Sequence, residues 1–77
     1  MNSANAGGYR LWIPSPSNIS IGVYNILGKR VRMLEQGYRA SGEHKVGIDG
    51  TGLSNGIYFV RLTAGNFSQT RKMVVAK

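Results

Sequence analysis

The sequence predicts an all-β fold, an antiparallel sandwich or barrel, on three observations. Segments with an apolar period of two recur from Tyr9 to Val75. Clusters of Gly, Asn, Ser and Pro separate them at intervals of about 8 to 12 residues. No window holds a helical period for about 11 residues, and no segment repeats at a fixed interval. The chain has 77 residues, room for one small core and not for two domains. With 42% hydrophobic and 17% charged residues it is too apolar for a disordered tail. Without Cys it must hold together with neither disulfides nor a thiolate metal site.

Asn, Ser, Ala and Gly dominate Met1 to Gly8 and offer nothing to bury. These residues read as a flexible leader or cloning remnant, and the domain as residues 9–77. In the first strand Tyr9, Leu11 and Ile13 share one side, with Arg10 and Trp12 on the other. Pro14 and Pro16 remove backbone donors and stop it. The second strand begins near Ile19, where Ile19, Ile21 and Val23 alternate with Ser20, Gly22 and Tyr24. Asn25-Ile26-Leu27-Gly28 is a turn with Gly where a positive φ is expected, and it makes a hairpin with a third strand from Arg30 to Glu35. Val31 and Leu34 break the alternation there, which predicts a bulge. Gly37 and Ser41-Gly42 bracket a connection to the fourth strand, Glu43 to Ile48. Asp49-Gly50-Thr51-Gly52 ends it, and Leu53 to Gly56 makes a corner. Ile57 to Ala64, rich in β-branched and aromatic residues, is the expected central strand. Gly65-Asn66 is a two-residue hairpin signal, and Phe67 to Val75 returns as the last strand.

Little here supports catalysis. The chain has one His, no Cys and three acids in all. Glu43 and His44 are adjacent in a strand, point to opposite faces and cannot form a dyad. Asp49 sits among turn residues, where its carboxylate is expected to bond its own turn backbone. His44 shares the face of Val46 and Ile48, which predicts a packed, hydrogen-bonded side chain rather than a metal ligand. No enzyme, metal or cofactor is expected. No run reaches the ~18 apolar residues of a membrane span, and residues 1–8 lack the pattern of a secretory signal.

A net charge of +7 invites an anionic partner such as nucleic acid, a lipid headgroup or a surface polysaccharide. The cations Arg10, Lys29, Arg30, Arg32, Arg39, Arg61, Arg71 and Lys72 are spread along the chain. Tyr9, Tyr58 and Phe67 alternate into the core, leaving Trp12 and Phe59 outward, so a solvated basic surface is preferred to a nucleic-acid site. The sequons at Asn18 and Asn66 fall at strand starts and are assigned no role.

Leu53-Ser54-Asn55-Gly56-Ile57-Tyr58 places Tyr58 just after a corner at the entry of the long strand. That is the arrangement of the tyrosine corner in immunoglobulin-like sandwiches, with Val60 filling the inward position two residues on.

Four motifs carry a family resemblance: Val23-Tyr24-Asn25-Ile26-Leu27-Gly28, Gly42-Glu43-His44-Lys45-Val46, Leu53-Ser54-Asn55-Gly56-Ile57-Tyr58-Phe59, and the ending Thr70-Arg71-Lys72-Met73-Val74-Val75-Ala76-Lys77. Over Tyr9 to Lys77 the chain resembles the C-terminal sorting domain of the type IX (Por) secretion system, itself related to the immunoglobulin-like domain of flagellar hook-capping proteins. The resemblance implies an immunoglobulin-like antiparallel β-sandwich of six to seven strands. It implies a non-catalytic module that directs an exported protein of Bacteroidetes-type bacteria through the periplasm to the cell surface. The partners implied are the secretion machinery and a covalently linked N-terminal cargo, with no nucleic acid. The alternative is a structural accessory domain of a larger extracellular enzyme or hook-capping protein. Recognition is expected at Gly56, Tyr58, Arg71, Lys72, Met73, Val74, Val75 and Lys77. Members usually open with a Tyr-Pro-Asn-Pro-type strand that Met1 to Gly8 does not match, so the family's first strand is expected to be missing. An edge uncovered in that way predicts a homodimer through the sheet.

Overall fold

In a computed structural model, which describes residues 7–48 and 50–76, the alternating segments form six antiparallel strands and no helix. They are β1 (Gly7–Ile13), β2 (Ser17–Tyr24), β3 (Arg30–Arg39), β4 (Gly42–Ile48), β5 (Gly56–Ala64) and β6 (Phe67–Val75). One sheet holds β1 and β4; the other has the order β3-β2-β5-β6. This is the two-sheet division of an immunoglobulin-like sandwich, with β5 in the position where the tyrosine corner occurs. Among the described residues no strand pairs with the outer edge of β1.

The core lies between the sheets because the buried residues of each strand alternate onto one face. Leu11 and Ile13 of β1 and Val46 and Ile48 of β4 face Ile21 and Val23 of β2, Val60 and Leu62 of β5, and Met73 and Val75 of β6. Most of these side chains are essentially inaccessible to solvent, and each contributes about 1.5 to 3 kcal/mol by burial. The expected central strand is interior, with β2 on one side and β6 on the other.

The first hairpin closes as expected. Asn25 accepts through Oδ1 from the N–H groups of Leu27 (2.9 Å) and Lys29 (3.0 Å), and Gly28 takes a φ of +84°. Beyond it, two bulges replace the single one expected: Leu34 and Val31 each lack a residue opposite them in β2. Three boundaries differ from expectation by two residues or more, the first being β1, which begins at Gly7 and not Tyr9, so that Gly7 and Gly8 of the expected leader pair with Ile48 and Gly47. β2 begins at Ser17, and β3 continues to Arg39, so Gly37 lies inside a strand rather than in a connection. The cause is cross-strand pairing, since Ser17, Asn18 and Ile19 find partners in Arg39, Tyr38 and Gly37. Gly37 has a φ of +141°, and a Cβ there would come within 3.0 Å of Arg39 Nη1. Met1 to Ala6 of the expected leader lie outside the described residues, as do Asp49 and Lys77; the rest of the expected turn is described, and there the Leu53 N–H donates to the Gly50 carbonyl at 3.0 Å.

At the β3–β4 side of the sandwich Glu35 is the meeting point of Arg39 and His44. Its Oε2 accepts from Arg39 Nε at 2.7 Å and lies 2.8 Å from His44 Nε2, although that second approach is off-line for a hydrogen bond. Partial burial by itself raises the Glu35 pKa, and the His44 and Arg39 interactions outweigh it, holding the carboxyl below the usual glutamate range. His44 is thus packed beside a carboxylate on the inner side, as its alternation with Val46 and Ile48 predicts, but its Nε2 has no hydrogen-bond partner among the described residues, contrary to the hydrogen-bonded side chain expected.

Candidate functional site

The residues expected to carry recognition lie on β5 and β6 and divide by alternation. Inward positions of β6 are Phe67, Gln69, Arg71, Met73 and Val75; outward positions are Ser68, Thr70, Lys72 and Val74. Met73 and Val75 are core residues, each 1% exposed. Tyr58 is buried as well, and its hydroxyl donates to the Ser54 carbonyl at 2.7 Å, the corner bond expected of it. Gly56 opens β5 with a φ of +152°, and no atom lies within 4 Å of a Cβ built there. Its need for Gly is therefore one of backbone conformation and not of space. Four of the eight are thus parts of the frame that holds β6 in place. Lys72 and Val74 project from the outer face of the sheet, and Lys77 is outside the described residues.

Arg71 is exposed although its position in the strand is an inward one. It can be so because β6 is an edge strand, hydrogen-bonded only to β5. Next to it a cleft of about 220 Å³ runs between β6 and β1, lined by Arg10, Leu11, Trp12, Glu43, Gln69 and Arg71. Gln69 Oε1 accepts from the Trp12 backbone N–H at 2.8 Å across this cleft and satisfies one donor of the open β1 edge. A charged side chain turned inward at an edge also discourages unselective strand pairing.

Register brings together a set of side chains that looked dispersed along the chain. Arg30, Tyr24, Phe59 and Lys72 form one row across β3, β2, β5 and β6 on the outer face. The guanidinium of Arg61 lies over the Tyr24 ring, 4.7 Å from its centroid. No local spacing in the sequence signals this row, because it exists only through pairing across three strand boundaries. Among the described residues no three His, Cys, Asp or Glu side chains are grouped so as to hold a metal ion, and no helix is long and apolar enough to cross a membrane.

Tyr58→Phe is expected to lower stability by about 0.5 to 2 kcal/mol, since the ring stays packed and only the bond to Ser54 is lost. Urea unfolding checks this, and equal midpoints at equal slope would show that the corner bond adds nothing.

Comparison with known families gives one match, to the secretion system C-terminal sorting domain, over residues 8–76. No curated protein and no solved structure matches the chain.

Proposed function

Because the chain belongs to the secretion system C-terminal sorting domain family, the sorting signals of type IX secretion, we propose that it works without catalysis, as a folded tag read by the export machinery. Family membership implies export to the cell surface or beyond, and contact with type IX machinery and with a cargo region on its N-terminal side. What supports the finer reading is the family match over nearly the whole domain, combined with an edge strand that offers its outward side chains to a partner. In this reading Arg71, Lys72 and Val74, with Lys77, are the contact residues. Gly56, Tyr58, Met73 and Val75 act by fixing the strand that bears them. The test is a periplasmic reporter carrying the 77-residue chain at its C-terminus in a type IX host. Surface-exposed reporter is expected, and a reporter retained in the periplasm overturns the proposal.

A homodimer through the outer edge of β1 belongs to the same reading, since unpaired strand edges recruit other strands. The charge of +7 per chain opposes it, and salt near 0.1 M screens that repulsion over about 10 Å. Light scattering coupled to size exclusion should show a dimer at moderate salt. A monomeric mass at every salt and protein concentration would show that the Gln69 bond and the inward Arg71 are enough to close the edge.

A further inference from the structure

We infer that one half of the outer face of the four-stranded sheet, the half next to the Leu53–Tyr58 corner, docks on an acidic protein surface bearing aliphatic side chains. This rests on the sorting role proposed above and adds to it the surface used and the chemistry of the partner.

Charge is the first ground. Arg30 and Lys72 end the row that holds Tyr24 and Phe59, and Arg61 lies in the next row between Gly22 and Thr70. No carboxylate shares this face among the described residues: Glu35 turns inward beside His44, and Glu43 lies in the other sheet, paired with Trp12. Three cations without a counter-charge favour an anionic partner and speed its approach.

The second ground is apolar exposure, and it separates a protein from other polyanions. Ile57 and Val74 are register partners at this end, 43% and 42% exposed. Met33, next to Gly22, is 38% exposed, and the adjoining turn presents Ile26 and Leu27. Of the other large apolar side chains exposed among the described residues, Trp12 lies in the other sheet, Val31 at the second bulge of β3, and Tyr38 at the far end of β3. Toward the far end the same face carries Gln36, Ser20, Thr63 and Ser68, with Tyr38 beyond them opposite Asn18 as its one large side chain among the described residues. A contiguous apolar patch with an Arg and aromatic centre has the composition of a protein interface, whereas a sugar-phosphate or polysaccharide chain offers nothing to cover the aliphatic groups.

The face is also pre-arranged. A Cβ on Gly22 would come within 3.1 Å of Arg30 Cδ and 3.3 Å of Tyr24 Cε1, so Gly lets both side chains lie against the sheet. With Arg61 stacked on Tyr24, less side-chain freedom remains to be lost on binding.

The experiment uses the 77-residue chain fused to a reporter in a type IX host, with two double variants of equal charge change. Arg61→Gln/Lys72→Gln should reduce surface display at least about tenfold, while Arg10→Gln/Lys45→Gln, on the opposite sheet, should stay within about twofold of the parent. Urea midpoints of the purified chains establish folding, and Arg30→Gln/Lys72→Gln replaces the first pair if that pair is destabilised. Normal display from a folded outer-face variant overturns the docking surface and leaves the sorting role standing. Equal loss from both pairs also overturns it, since only bulk charge would then matter. Failure of the parent fusion overturns the sorting role itself. A photo-crosslinker in place of Val74 should yield a protease-sensitive adduct whose contact peptide contains Asp or Glu beside aliphatic residues. An adduct removed by nuclease or glycosidase, or a contact peptide without acids, overturns the partner chemistry.

Discussion

Removal of residues 72–77 from a cargo-bearing protein should leave the cargo in the periplasm of a type IX host. The deletion takes away Lys72, Val74 and Lys77 as contacts, and it also takes away Met73 and Val75, both 1% exposed. Losing two such side chains costs about 3 to 6 kcal/mol in burial, and a 77-residue domain has only about 4 to 12 kcal/mol of stability. The truncated domain should therefore unfold, so retention alone would not separate recognition from stability. Lys72→Gln/Lys77→Gln does separate them, because it keeps the core half of β6 intact. The expected result is an unchanged urea midpoint with display sharply reduced. Normal display of the folded double variant would falsify charge recognition by this strand and leave its contribution as one of packing.

Leu62→Ala should destabilise the domain by about 2 to 5 kcal/mol, a large part of its total stability. Leu62 is fully buried on β5, between Ile21 of β2 and Gln69 of β6, and faces the β1–β4 sheet across the core. With the sandwich only two strands thick on that side, little structure is available to collapse into the void. Leu27→Ala is the matched control: Leu27 is 86% exposed on a turn and should change stability by less than about 0.5 kcal/mol. Denaturant midpoints at constant slope give both values, and a loss below about 1 kcal/mol for Leu62→Ala would mean the sheets are not packed through this residue.

Strand identity was legible wherever alternation is strict, as in Ile19–Val23 and Val46–Ile48, because one buried face imposes period two on the local sequence. What local pattern could not show was decided between strands. Ser17 and Arg39 belong to strands because they pair with each other, and neither carries an apolar signal of its own. The second bulge, at Val31, likewise depends on register with β2. The corner bond of Tyr58 was readable, since its donor and acceptor lie within one short motif. The candidate site was readable only in part. The sequence identifies the terminal strand, whereas the division of its residues comes from the packed sheet, which turns Met73 and Val75 inward and Lys72 and Val74 outward. The outer row from Arg30 to Lys72 was invisible because its members come from four strands.

The position of β6 also sets a clock. It is the last of the six strands in chain order, yet it supplies Met73 and Val75 to the centre of the core. A polypeptide that emerges from a translocation pore N-terminus first can pair β2 with β3 and β1 with β4 early, but it cannot close the sandwich until the segment up to Val75 is out. The appearance of the folded domain then reports that everything before it has already crossed, and a molecule cut short within its last strand would never present the mature face. Pulse-chase proteolysis of chains during export would show this as a single late step in protease resistance. Protection gained in gradual stages, before β6 emerges, would mean that the earlier strands suffice.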